Sequence, residues 1–100
     1  EKNLAAILDT LAVRKIPVLL TGMEAPPNMG TAYADAFRAV YAKLGQRPGV
    51  MLDAFFLEGI AGQRDLNQAD GIHPNPEGVR RIVARLLPKV EALLAEVRRP

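Results

Sequence analysis

Two short, almost uninterrupted apolar runs set the terms on which this chain can fold. "IPVLLTG" at residues 16–22 and "VMLDAFF" at residues 50–56 are bounded by proline and glycine. Both lack the polar alternation of a strand with one wet face, so each reads as a strand buried on both sides, the first over residues 18–21. Helical patterns surround them. Leu4, Ile7, Leu8 and Leu11 recur at threes and fours within residues 3–15, among the good helix formers Ala5, Ala6 and Ala12. Phe37, Val40, Tyr41 and Leu44 mark the inner face of a second helix, expected to start with Thr31 as its N-cap and to end at Gly45. Val79, Ile82, Val83, Leu86, Leu87, Val90, Leu93, Leu94 and Val97 step through the longest helix, which Pro88 is expected to kink or break. The order helix, strand, helix, strand, helix is the rhythm of an α/β fold with a parallel sheet and crossover helices.

That rhythm leaves a deficit. Two parallel strands do not make a stable sheet, because strands of this kind want neighbours on each side. One hundred residues, 49% hydrophobic and 24% charged, suit one small domain and not two. The expectation is that residues 1–100 form the carboxyl-terminal portion of a single larger α/β domain, whose amino-terminal portion supplies the rest of the sheet.

Composition closes several routes to function. No apolar run is long enough to span a bilayer, so membrane insertion is not expected. Without cysteine there is no disulfide, thiolate nucleophile or zinc-thiolate site. The formal charge of +2 comes mostly from the last quarter, where Arg80, Arg81, Arg85, Lys89, Arg98 and Arg99 alternate with Glu77, Glu91 and Glu96. These basic residues lack interleaved aromatics, so nucleic-acid binding is not expected, and they read as a solvated helix face. The chain also contains no serine; its hydroxyls are Thr10, Thr21, Thr31, Tyr33 and Tyr41.

The one motif that carries chemistry is "ADGIHPNPEG" at residues 69–78, which holds the single histidine. Pro74 disfavours helix at His73, so Asp70 and His73 lie on a turn leading into the last helix, with Asn75 as N-cap and Pro76 at the first helical position. Such a turn can aim the Asp70 carboxylate at one ring nitrogen and leave the other outward as a proton acceptor. The bland reading stands beside it: Asp-Gly is a common turn and Asn-Pro a common helix start, so every residue except His73 has a structural reason to be there. One histidine with no second ligand at suitable spacing gives no metal site. Asp53, interrupting an apolar strand, is the rival partner for His73, unless backbone N–H groups at the strand end hold it in a purely structural role.

"DGIHPN" resembles the last conserved block of the SGNH or GDSL-type hydrolases, in their thioesterase, lysophospholipase and arylesterase branch. "PVLLTGMEAPPNMG" is similar to the family's strand and loop beside the acyl pocket, and "YADAFRAVYAKL" and "FFLEGIAG" resemble its next helix and strand end. The resemblance covers nearly the whole chain, as the carboxyl half of a three-layer αβα, flavodoxin-like fold. It implies serine-dependent hydrolysis of carboxylic esters or acyl thioesters without cofactor or metal. It assigns His73 as general base and Asp70 as its orienting acid, and a periplasmic or secreted location. The family's serine nucleophile and oxyanion-hole glycine and asparagine belong to blocks absent from this sequence. The chain alone is therefore expected to be inert, and its expected partners are the amino-terminal segment carrying those groups and a small acyl ester or thioester. Met23, Ala25 and Pro26 are candidates for the acyl-binding wall, with Phe55, Phe56 and Leu57 expected mainly in the core. Glu24 stands where related sequences often carry a basic residue. The alternative function is a noncatalytic α/β segment that binds a partner protein.

Overall fold

The computed structural model describes residues 1–25 and 27–97. Helix α1 (Lys2–Val13) leads to strand β1 (Val18–Thr21); a 3-10 turn (Pro27–Met29) precedes helix α2 (Thr31–Leu44), which crosses over to strand β2 (Val50–Asp53). A second 3-10 turn (Arg64–Leu66) and an irregular loop lead into helix α3 (Pro76–Val97). The strands pair in parallel, Val18 opposite Val50 and Thr21 opposite Asp53. The pairing continues past the strand ends, where Gly22 N–H donates to the Asp53 carbonyl at 2.6 Å and Phe56 N–H to the Gly22 carbonyl at 2.9 Å. Position 22 must be glycine for this approach, since a Cβ there would collide with the Ala54 carbonyl.

Strand alternation distributes the layers. Leu20, with Val18, Val50 and Leu52, packs against Leu8 of α1 and Leu44 of α2 on one face. Asp53 is opposite in phase to Leu52 and meets α3 on the other face, through Arg85. A second cluster of Ile60, Leu66 and Ile82 joins α3 to the loop after β2, with Phe56, Leu57 and Leu86 against it. Helix α1 ends in a Schellman motif: Ile16 N–H reaches the Leu11 carbonyl and Lys15 N–H the Ala12 carbonyl, with Lys15 at φ 55°.

One local expectation is corrected and another narrowed. The N-cap of α2 is Gly30, at φ 89°, and Thr31 is the first helical residue, because the preceding 3-10 turn carries the chain directly into the helix. Pro88 lies inside α3 without breaking it. Pro88 and Ala84 are both exposed, so the Ala84 carbonyl that loses its i+4 donor has water within reach.

The layers are thin. Extents of 45 × 31 × 15 Å and a radius of gyration of 15.3 Å exceed the roughly 13 Å of a compact domain of this length. Only six hydrophobic side chains among the described residues are buried. Val79, Val83, Leu87, Val90, Leu94 and Val97 form an exposed stripe along α3 at helical spacing. The apolar arc of α3 is thus wider than these two strands and their loops cover, in keeping with a partial sheet. No described helix is long and apolar enough to cross a membrane.

Candidate active site

The loop between β2 and α3 is held at its base by backbone and amide groups. Asn67 and Pro74 form an antiparallel bridge, and Gln68 N–H donates to the His73 carbonyl at 2.7 Å. Asn75 is the expected N-cap: its Oδ1 accepts from Gly78 N–H at 2.9 Å, while its Nδ2 donates to the Asp65 carbonyl at 2.8 Å. Asn75 N–H donates to the Leu66 carbonyl at 3.0 Å, and any Cβ on Gly78 would collide with that same carbonyl. The start of α3 and the loop are therefore fixed to each other.

On this base Asp70 makes an Asx turn. Its Oδ1 accepts from Ile72 N–H at 2.9 Å and His73 N–H at 3.1 Å, which Gly71 permits at φ 71°. The other oxygen, Oδ2, lies 2.7 Å from His73 Nδ1. The side chains are 42% and 70% exposed, respectively. The His73 hydrogen bond, aided by those from the Ile72 and His73 amides, holds the Asp70 carboxyl down at about 2. An ionised Asp70 accepting from Nδ1–H fixes the neutral ring in the tautomer whose Nε2 is an acceptor.

Asp53, the rival, has other partners. It is 1% exposed and takes a bidentate pair from Arg85, Nη1 to Oδ1 at 2.6 Å and Nη2 to Oδ2 at 3.2 Å, plus Lys89 Nζ at 3.1 Å. Burial pushes its carboxyl up, but the Arg85 and Lys89 hydrogen bonds outweigh this and hold it below its ordinary value. Arg85 Nη2 also donates to the Phe55 and Phe56 carbonyls, at 3.1 and 2.9 Å, leaving Nε as a buried donor without a partner. Side chains of α3 thus hold Asp53, rather than the strand-end N–H groups expected from sequence, and part of the supposed solvated basic face is an inward clamp. The readable signal was the i, i+4 pair Arg85 and Lys89 on the side of α3 that carries Ile82 and Leu93.

A cleft of about 360 Å³ adjoins the Asp70 turn. Met23 and Ala25 line it from the loop after β1, Phe55 and Leu57 from the loop after β2, and Gly71 and Ile72 from the turn itself. Of the candidate acyl-wall residues, Met23 and Ala25 meet here, and Pro26 lies outside the described residues. Phe56 faces the core as expected, while Phe55 lines the cleft and Leu57 touches both. Among the described residues no three His, Cys, Asp or Glu side chains converge as a metal site would require.

No protein-family model matches the chain. Curated relatives do: it is 36% identical over 94 residues, 94% of its length, to esterase TesA of Pseudomonas aeruginosa, and 33% identical over 75 residues to an arylesterase of Vibrio mimicus. It covers 47% and 38% of those two proteins, so it spans half or less of the curated relatives it matches. Among solved structures, the crystal structure of TesA superposes with a TM-score of 0.81 at 36% identity, over 92% of this chain and 51% of that one. AlinE4, an SGNH-hydrolase family esterase, superposes with a TM-score of 0.64 at 39% identity, over 99% of this chain and 50% of that one. With its parallel strands and flanking helices, the chain is homologous to these esterases and has the α/β fold of the SGNH hydrolases, matching about half the length of each of the two solved structures.

Proposed function

We propose that the chain supplies the His-Asp part of a serine hydrolase site acting on carboxylic esters or acyl thioesters. The observation that carries this reading is the Asp70 Oδ2 to His73 Nδ1 contact at 2.7 Å, with the second carboxylate oxygen held by two backbone amides. His73 Nε2 takes the proton of a serine hydroxyl as it attacks the carbonyl, then gives it to the leaving alkoxide or thiolate. Asp70 keeps the tautomer and stabilises the imidazolium. The cleft lined by Met23, Ala25, Phe55, Leu57 and Ile72 takes the acyl chain.

The chain has no serine, so the nucleophile comes from the amino-terminal part of the domain. An apolar groove of about 440 Å³ runs along α3, lined by Val79, Val83, Leu87 and Val90 and ending at Pro74, the residue after His73. On this reading the amino-terminal segment covers the exposed stripe; the Asp70–His73 contact, for which a noncatalytic segment has no use, favours it over that alternative. By itself the chain is inert. A fluorophosphonate probe on the full-length protein tests the assignment: label is expected on a serine outside these 100 residues, with labelling slowed by His73→Ala. Label on Thr21 or Thr31, or a rate unaffected by His73→Ala, overturns it.

A further inference from the structure

We propose that Glu24 makes the acyl cleft selective by charge, excluding acyl chains that carry an anionic far end and accepting neutral or cationic ones. This rests on the esterase reading above and adds the substrate class. Among the described lining residues of the cleft, Glu24 is the one with a charged side chain; the others are apolar, glycine or Asn67. It also lines an adjoining cavity of about 280 Å³, together with Arg38 and Glu58, so Glu24 is shared by the two hollows.

The neighbouring cation does not cancel it. Arg38 Nη2 is engaged by Asp35 at 2.6 Å, one turn away on α2, and only Nη1 approaches Glu24, at 3.8 Å. Two carboxylates, Glu24 and Asp35, thus share the Arg38 guanidinium, and Glu58 adds a third to the lining of the same cavity. Arg64 lines a separate hollow that shares Gly62, Asn67 and Gly71 with the cleft, and is not among the residues lining the cleft itself. Glu24 is 43% exposed, so solvent weakens its field, but an apolar wall beside it weakens the screening. A carboxylate on an acyl chain entering the cleft meets a like charge and loses its own hydration against Met23, Phe55 and Ile72.

Three para-nitrophenyl esters of matched chain length test this on the full-length protein: hexanoate, the monoester of adipate, and ω-trimethylammonio-hexanoate. Each kcat/KM is taken as a ratio to hexanoate within the same protein, so a general effect of the substitution on the cleft divides out. Glu24→Gln is expected to raise the adipate ratio about fivefold, and Glu24→Lys to raise it further while lowering the trimethylammonio ratio. Ratios equal in all three proteins, with hydrolysis still dependent on His73, overturn the charge proposal alone. Failure to hydrolyse any of the esters, or hydrolysis surviving His73→Ala, overturns the esterase reading and this proposal with it. A Glu24 effect on a hexanoate ester with an anionic leaving group, in place of one on the acyl end, overturns it as well.

Discussion

Asp53 and Asp70 are both ionised carboxylates paired with a nitrogen base, and their surroundings give them opposite uses. Asp53 is 1% exposed, held by Arg85 and Lys89 across 32 and 36 residues of sequence. It fastens α3 to the end of β2 and, through Arg85, closes off the Phe55 and Phe56 carbonyls. Asp70 has its partners within three residues and leaves a 70% exposed imidazole facing solvent. A buried pair is costly to break and chemically closed, whereas an exposed one adds little stability but keeps a ring nitrogen open to a substrate or nucleophile.

The largest effect expected from this contrast is on stability at Asp53. Asp53→Asn leaves Arg85 and Lys89 facing each other without a counter-charge, and should cost the full-length protein about 3–5 kcal/mol. Denaturant melts of Asp53→Asn, Arg85→Met and the double variant check it. The double variant should be clearly more stable than the sum of the single losses predicts, because the Asp53–Arg85 pair is lost only once and the buried guanidinium that Asp53→Asn leaves unpaired is gone. Simple additivity would mean that the clamp does not act as a unit. A smaller effect follows with acid. Asp70 is held at about 2 against an ordinary 3.8, so what its pairing contributes to the loop is present above pH 3.8 and lost as pH falls toward 2. Amide exchange at Ile72 and His73 should accelerate over that window relative to amides elsewhere in the loop; protection unchanged down to pH 2 would break the link between the carboxylate and the turn.

The local features were legible and the long-range ones were not. β1 was readable at residues 18–21 because an apolar run between Pro17 and Gly22 admits little else. The Asn75 cap and the Asp70 turn were readable because proline, glycine and short polar side chains act on backbone within a few residues. The deficit of strands was legible too, and reappears as the bare apolar stripe of α3. Thr31 misled because capping depends on the φ of the preceding residue, which the 3-10 turn sets at Gly30. The partners of Asp53 were hidden because nothing local in the strand says which turn of α3 will lie over it. The gathering of Met23, Ala25, Phe55 and Ile72 into one cleft depends in the same way on the parallel pairing, which brings the loops after β1 and β2 to one sheet edge.

The central claim is that Asp70, and not Asp53, serves His73, and steady-state turnover of the full-length Asp70→Asn protein tests it most directly. An asparagine in place of the carboxylate favours the wrong tautomer and withdraws the charge that stabilises the imidazolium; in a serine protease the analogous change costs about ten-thousandfold in kcat. With this pair half exposed to water, kcat is expected to fall by about a hundredfold or more, while the thermal melt stays at the wild-type position. A kcat within a few-fold of wild type in a normally folded Asp70→Asn protein would contradict the account.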